Sequence, residues 1–525
     1  MRTQRVAVVG GGFVGLSTAL LLRRAGHAVT LIEAGAGGAL GASQGNAGAC
    51  VSHTLLLLRR QSKICLFLPA YSFLARWNVK PLQAPLHAPL LLTRGAFVAY
   101  ACLPAYPFLA WWNVTHFNTF AGTFAAYACV HINRPGLFWD VPRLLTSRTS
   151  PLSVVPTPHL LRMLPWFAHF LRNCRPERVE ASSVALGSIL ARAEAAYNGV
   201  WEAAGVHVDD TMGRFAGSSS AAALPYAARH GYLLLQKTPD MMNASQSAAA
   251  TRRQCVPGLR MEALTTAEVL ELEPNLSPQA VGGGSWFFPD GWFLREPGAL
   301  LRALSSGFET AGGEIRYSAR ATALQPNHDS VTIELDGGLD SLVVDQVVVA
   351  CGAHSAVLAR SVGDWVPLDT ERGYHVEWKQ GSEAVFTRAV CDPSQGYISS
   401  PMSGGLRSAG LVELGGTHAG PTPARCDQLE EATLNMMNPY AAAVLGPRVK
   451  TADWLGFRPT MPDALPVIGR SPRVSRVIYA FGHQHVGWTL GGITGQLVTE
   501  LIDGRKPSVD LQPFRPDRFS LGALL

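Results

Sequence analysis

The chain has 525 residues, of which 47% are hydrophobic and 16% charged, and its formal net charge is +6. That length holds two or more hydrophobic cores, and the composition is that of a globular protein rather than a disordered one. So small a charge over so long a chain, with no basic cluster interleaved with aromatics, argues against a nucleic-acid-binding face. The nine cysteines are scattered, with no C-x-x-C pair and no Cys/His cluster at zinc spacing. They are read as reduced thiols in a cytoplasmic setting, and no metal site is expected. The first strand begins at residue 6 and is read as leaving no room for a leader peptide ahead of it.

That strand is the β-branched run Val6-Ala7-Val8-Val9, the composition of a strand buried on both faces of a parallel sheet. Gly10, Gly12 and Gly15 follow in G-x-G-x-x-G spacing. The first allows the tight turn out of the strand, the second lets a pyrophosphate approach the backbone, and the third lets the next helix pack close to the strand. A helix is predicted over 16–25, stopped by Gly26, and a second strand over 28–32 ends on Glu33. An acid at that place accepts the two hydroxyls of an adenosine ribose and disfavours a 2′-phosphate. The stretch therefore predicts binding of a dinucleotide, and by itself it does not choose between FAD and NAD.

Beyond Glu33 a small-residue loop runs to Gly48 and closes with Ser43-Gln-Gly-Asn46-Ala47-Gly48, where backbone can come close to a cofactor. Residues 53–133 differ from everything else. Leu68–Val79 recurs nearly unchanged as Leu103–Val114, Gly95–Cys102 recurs as Gly122–Cys129, and no Asp, Glu, Lys or Arg occurs from Gly95 to Asn133. A transmembrane segment fits the apolarity, but Pro104, Pro107, Asn113 and Asn118 interrupt it. A solenoid needs more than two copies at unequal offsets. The third reading is preferred: an insertion of repetitive origin outside the core fold, or an error of the gene model.

Globular character returns at Arg134. In chain order, a helix is predicted over 180–204, a strand over 232–236, a capped helix over 264–274 stopped by Pro274, and a hairpin-like Gly/aromatic stretch over 282–292. A helix over 297–311 with proline in its first turn, a strand meander over 314–335 and an apolar strand over 343–350 follow. Strands are then expected over 374–378, 384–390, 396–400 and 410–414, a helix over 427–445, a strand over 477–481 and a helix over 488–503 ended by Gly504. Strand, glycine turn and helix thus occur three times, at residues 6, 343 and 477. With the strand-rich region between them, they predict an α/β fold in which an antiparallel domain interrupts a parallel-sheet domain.

Several motifs, in this order, resemble the flavin-dependent amino-acid oxidase and dehydrogenase superfamily, and within it the bacterial D-amino-acid dehydrogenases. They are Gly10–Gly15 with Glu33, Ser43–Gly48, Val347–Ser355, Arg372-Gly373-Tyr374, Gly456–Pro459, Gly482–Thr489, and the segment Arg134–Arg178 with its Leu171-Arg-Asn-Cys174. The resemblance implies a discontinuous Rossmann-like FAD-binding domain made of residues 1–52, 134–224, 294–364 and 451–525. It also implies an antiparallel β-rich (α+β) substrate domain made of 225–293 and 365–450, with 53–133 as an atypical insertion. FAD would lie against Gly10, Gly12, Phe13, Val14 and Gly15, with Glu33 on the ribose and with Ala321 and Gly352 along the dinucleotide. Ser43, Asn46, Ala47 and Gly48 would stand beside the flavin.

The same resemblance sets Gly482, His485, Gly487, Trp488 and Thr489 against the flavin pyrimidine ring. A helix N-terminus there suits the negative charge that gathers on a reduced flavin, through backbone contact rather than a side-chain catalyst at His483 or His485. Arg458 of the Gly-x-Arg-Pro motif is expected on the substrate carboxylate, a bidentate task for which a guanidinium is shaped. Tyr374 is expected beside the same carboxylate. A structural ion pair and a half-buried sheet tyrosine are the respective alternatives. The redox step needs no acid–base pair, since a neutral α-amine can give its α-hydrogen to flavin N5 as hydride and the imine hydrolyses in water. The expected reaction is oxidation of the C–N bond of an amine or amino acid, a D-amino acid giving a 2-oxo acid and ammonia. A quinone or oxygen would be the electron acceptor, with peripheral membrane association in the quinone case. Two alternatives stand beside it: a sarcosine- or glycine-oxidase-like enzyme that uses oxygen, and a non-catalytic flavoprotein impaired by the insertion.

Overall fold

A computed structural model describes residues 3–36, 49–51, 149–209, 214–217, 227–228, 230–255, 259–379, 381 and 385–520. The expectations for Ser43, Asn46, Ala47, Gly48 and the segment 53–133 lie outside the described residues.

The valine-rich opening forms the strand Arg5–Val9, which sits in the middle of a six-stranded sheet. Its neighbours are Ala28–Ile32 and Gln346–Val349, both parallel to it. Glu314–Arg316 lies outside the first and Val477–Phe481 outside the second, again parallel, and Val467–Arg470 closes the edge antiparallel. Alternation sorts the side chains: Val6 and Val8 face a core with the helices Phe13–Arg24, Pro176–Ala204, Pro297–Thr310 and Gly487–Ile502. Ala7 and Val9 face a second core with Leu324, Ile333 and Leu358. Each fully buried valine side chain contributes ~1.5–3 kcal/mol, and the buried part of the strand, Val6 to Val9, carries no polar residue on either face.

The three strands that precede glycine turns are adjacent, in the order Arg5–Val9, Gln346–Val349, Val477–Phe481. Their turns therefore open side by side at one edge of the sheet, where ligands of open parallel sheets bind.

The second body is a nine-stranded, mostly antiparallel sheet. At one edge it runs Trp454–Thr460, Asp369–Trp378, Gly405–Leu414, Tyr397–Met402 and Ala389–Asp392, and it continues through Tyr232–Leu235, Ser285–Phe288 and Glu262–Leu264. Leu152–Val154 joins it beside Gly405–Leu414. Two segments assigned on sequence to the dinucleotide domain, those around 152–154 and 454–460, thus pair in this sheet.

Other local expectations change for physical reasons. The stretch 282–292 is not a hairpin, because Ser285–Phe288 pairs in the nine-stranded sheet while Gly291–Leu294 pairs with Ala49–Val51 and Ala227–Ala228. The meander over 314–335 divides between two sheets, its first strand joining the parallel one. The strand over 343–350 is two strands, Leu342–Val344 and Gln346–Val349, separated at Asp345, whose backbone N–H donates to Arg5 O and whose carboxylate pairs with Arg5. The helix over 427–445 is Pro423–Met436 and Pro439–Leu445, the second begun by an Asn438 cap and a first-turn proline. The helix over 264–274 forms as Thr266–Leu272 with the expected capping box between Thr265 and Glu268.

Candidate functional site

The first glycine turn is shaped by close contacts. Gly10 has φ +112° and a Cβ there would lie 2.4 Å from Ala350 O, while one on Gly15 would lie 1.8 Å from Gly10 O. No other residue type fits either position. Glu33 is held by both oxygens, Oε2 accepting from Gly11 N–H at 2.7 Å and Oε1 from Gly35 N–H at 2.8 Å. Each oxygen keeps a second acceptor direction for a ribose hydroxyl.

A cavity of about 500 Å³ opens along this edge of the sheet. Of the residues singled out on sequence, Gly10, Gly12, Phe13, Val14, Glu33, Ala321, Gly352, Gly482, His485, Gly487 and Trp488 line it. Gly15 and Thr489 stand behind the wall: Gly15 packs against Gly10, and Thr489 is buried in the last helix. Two helices begin at the cavity, Phe13–Arg24 and Gly487–Ile502, and neither carries an acid in its first turn. Both positive helix ends are left for an anionic ligand. Phe13 stacks on Trp488 at 4.2 Å between ring centroids, which ties the two helix starts together.

The turn before the last helix is strained as well as close-packed. Gly482 has φ +82°, and Gln484, not a glycine, has φ +48°. Gln484 is kept there by its N–H donating to Pro459 O at 2.9 Å and its side chain donating to Met461 O at 3.2 Å. His483 is buried against Thr494 at 2.9 Å, and burial lowers its pKa to about 3. It therefore stays a neutral imidazole beside the cavity, and no cation there competes with the helix end.

Arg458 is reached through the edge strand of the large sheet. Trp454, Leu455, Gly456, Phe457 and Pro459 line the cavity. In register with the next strand, Glu371 stands opposite Arg458, Gly373 opposite Gly456 and His375 opposite Trp454. These six share one face of the sheet. His375 is in turn opposite Ala409, which belongs to the core shared with the dinucleotide-binding sheet, so this face turns toward that domain. The Arg458 guanidinium lies over Gly373, where a Cβ would be 2.3 Å from Nη2. Nη1 donates to Leu411 O at 2.8 Å and Nη2 to Gly410 O at 3.4 Å, carbonyls presented by an irregular stretch in which Leu411 has φ +60°. Trp454 stacks on His375, 5.0 Å between centroids, and closes the side of this patch.

Tyr374 is on the other face. It packs with Cys426, Leu429 and Met436 of the helix Pro423–Met436. Its hydroxyl donates to Glu413 Oε2 at 2.6 Å and accepts from Thr422 N–H at 3.0 Å. Arg372 joins it, with Nε 3.2 Å from the same Glu413 oxygen and Nη2 donating to Gly420 O. The structure therefore brings Arg458 but not Tyr374 to the face that meets the dinucleotide-binding sheet. Sequence reasoning also passed over Glu371, Gly373, His375, Trp454 and Gln484. The first four carried a signal: Glu-x-Gly-x-His and Trp-x-Gly-x-Arg are period-2 patterns on antiparallel strands.

A model of the family described as FAD dependent oxidoreductase (DAO) matches residues 5–96 and 177–501. The chain belongs to this family. It is 28% identical over 519 residues to the D-amino-acid oxidase of Bradyrhizobium diazoefficiens, covering 98% of this chain and 99% of that protein. With the D-amino acid dehydrogenase of Dechloromonas aromatica it shares 26% identity over 361 residues, 67% of this chain and 79% of the relative. Glycine oxidase from Geobacillus kaustophilus has the same fold, with a TM-score of 0.60 at 19% identity over 98% of this chain and 99% of that one. FAD is thus the cofactor of this oxidoreductase, and the cavity fits it. Glu33 is fixed by two backbone N–H groups in a position suited to a ribose, Gly352 leaves the backbone open, and two helix ends face the cavity. Among the described residues no cluster of His, Cys, Asp or Glu could hold a metal ion.

Proposed function

We propose that this flavoprotein oxidises the C–N bond of an amino acid, with D-amino acids as its substrate class, and releases a 2-oxo acid and ammonia. One observation carries the reading: a buried arginine laid over a glycine, on the sheet face that turns toward the dinucleotide domain. When bound, FAD supplies a two-electron acceptor. The chain's residues supply the rest. Arg458 orients the substrate carboxylate, the stacked Trp454 and His375 exclude water on one side, and the N-terminus of Gly487–Ile502 favours negative charge at its end of the cavity. Relatives named for D-amino-acid oxidation support the same substrate class.

Anaerobic bleaching of the bound flavin tests the proposal. D-amino acids are expected to bleach it, and Arg458→Lys is expected to lower kcat/KM about 10²-fold with flavin content unchanged, because lysine loses the guanidinium fork. Bleaching by glycine or sarcosine alone, with peroxide formed in air, moves the reading to an oxygen-using amine oxidase. Flavin that no D- or L-amino acid, glycine or sarcosine bleaches points to a non-catalytic flavoprotein.

A quinone acceptor at a membrane surface, rather than oxygen, is favoured by one surface feature. On the helices His159–Arg162 and Leu164–Asn173, Leu161 and Leu164 stand more than half exposed and Leu171 close to half exposed, with Trp365, also close to half exposed, beside His169. Arg162, Arg172 and Arg175 interleave with them, and no acid occurs from Thr157 to Pro176. Exposed leucines among arginines suit an anionic bilayer surface. Salt-sensitive sedimentation with phosphatidylglycerol vesicles, lost on Leu161→Ser/Leu164→Ser, is the expected result. Among the described residues no helix is long and apolar enough to cross a membrane.

A further inference from the structure

Two stretches of chain from different sheets meet at the wall of the cavity. One is the end of the strand Trp454–Thr460, which carries Arg458 in the nine-stranded sheet. The other is the turn at 482–486, which leads from the strand Val477–Phe481 of the six-stranded sheet into the last helix. Gln484 joins them twice. Its N–H donates to Pro459 O at 2.9 Å, and its side-chain Nε2 donates to Met461 O at 3.2 Å. Gly482 lies against the same segment, where a Cβ would be 2.7 Å from Met461 Cγ. Pro459 follows Arg458 directly, and Pro459, Gly482 and Gln484 all line the cavity.

Backbone strain gathers at this junction. Among the described residues, those with positive φ that are not glycine are Ser318, Leu411, Ala464 and Gln484. All but Ser318 hold residues 458–461. Leu411 O accepts from Arg458 Nη1 at 2.8 Å, Ala464 N–H donates to Met461 O at 3.1 Å, and Gln484 makes the two bonds just given. A left-handed residue other than glycine costs ~1–2 kcal/mol. Glycine at 484 would remove that cost, and the turn already uses glycine at 482 and 487. Glycine would also remove the amide that reaches Met461. The strain is therefore kept together with a cross-link between the two sheets.

We propose that Gln484 is a positioning residue that fixes the spacing between Arg458 and the flavin side of the cavity. A substrate held on Arg458 by its carboxylate then presents its α-carbon to the flavin at reacting distance. The inference rests on Arg458 as the carboxylate site and on the turn before the last helix as the flavin side. The two groups that set the line of hydrogen transfer belong to separate sheets, so neither sheet alone fixes their distance. A misplacement of about 1 Å between them can cost ~10²-fold in rate. Gln484 stands where it prevents this, bonded one residue beyond Arg458 at one end and built into the turn at the other. It is 7% exposed, so water competes little for its bonds. The turn is also closed on its own side, with Val486 N–H donating to His483 O at 2.9 Å and the His483 ring held by Thr494 of the last helix.

The test uses the flavin-loaded protein, the D-amino acid that bleaches the wild type fastest, its α-deuterated form, and benzoate as a carboxylate probe read from the flavin absorption band. Gln484→Gly relieves the strain and deletes the side-chain link. It is expected to retain flavin, to bind benzoate with a Kd within about twofold of wild type, and to lower the limiting rate of anaerobic flavin reduction about 10- to 10²-fold. The α-deuterium isotope effect on that rate is expected to persist, which places the loss in the hydrogen transfer. Gln484→Asn, which accepts the left-handed backbone but carries a shorter amide, is expected to fall between the two. An unchanged reduction rate in Gln484→Gly, or a slower one whose isotope effect has vanished, overturns the inference. So does weaker flavin or benzoate binding with an unchanged limiting rate, the mark of a purely structural tie. If Gln484→Gly holds no flavin, the same outcomes are read from Gln484→Asn. A wild-type benzoate Kd and reduction rate in Arg458→Ala overturn instead the underlying reading of that site.

Discussion

The two faces of the nine-stranded sheet each bury an arginine from neighbouring strands, and they treat it in opposite ways. On the far face Arg372 is answered by Glu413, Tyr374 and the carbonyl of Gly420, so its charge is neutralised inside the protein. On the near face Arg458 donates to the backbone carbonyls of Leu411 and Gly410 and stands opposite Glu371, whose carboxyl burial raises to about 7. A neutralised buried pair braces a fold, whereas an arginine set into backbone carbonyls, on a strand whose neighbouring residues line the cavity, keeps the fork geometry that suits an anion. The motif Arg372-Gly373-Tyr374 serves both: its arginine and tyrosine go to the brace, and its glycine makes room for Arg458.

The largest effect that would sharpen this contrast is Glu413→Ala, which strands a buried arginine on the far face. It should cost ~3–5 kcal/mol in urea unfolding. A loss near zero would remove the distinction. Gly373→Ala comes next. Its methyl group must displace the guanidinium at a cost of ~1–3 kcal/mol, and KM for a D-amino acid should rise far more than kcat falls. An unchanged KM would break the near-face reading.

The pH dependence of stability is a smaller effect and has a definite sign. Glu371 has a folded pKa above its unfolded one, so its contribution to stability is complete below the ordinary carboxylate range and is lost as pH rises through about 7. Thermal midpoints between pH about 5 and 8 should fall with pH in the wild type, and less so in Glu371→Gln. Smallest is Tyr374→Phe. It removes one buried hydroxyl bonded to Glu413, with an expected loss of about 1 kcal/mol and an unaltered KM. A raised KM in Tyr374→Phe would return that tyrosine to the substrate.

The dinucleotide half was legible because its signals are local. A glycine turn, the strand before it and the helix after it lie within a dozen residues, and the acid at Glu33 follows at a fixed distance. The same logic brought out the turns at Gly352 and Gly482–Gly487, and all three open on one cavity. Arg458 was singled out from its motif, and the structure lays it over Gly373. The face that Tyr374 occupies was not legible, because strand alternation says that neighbours face opposite ways but not which face meets the other domain. A register shift between Arg372 and Tyr374 adds to the difficulty, since a bulge is invisible in the hydrophobic pattern.

The sequence by itself determined the three strand–turn–helix units, the binding of a dinucleotide and the α/β plan with an antiparallel interruption. These follow from short-range sterics, hydrophobic periodicity and the few residues that can sit against a phosphate or a ribose. Only the tertiary structure decided that the three units are adjacent, that Trp454–Thr460 belongs to the large sheet, and that Arg458 and Tyr374 part company across it. Those facts depend on pairing between residues far apart in the chain, where the energy of a register is the sum of many contacts and no single residue announces it.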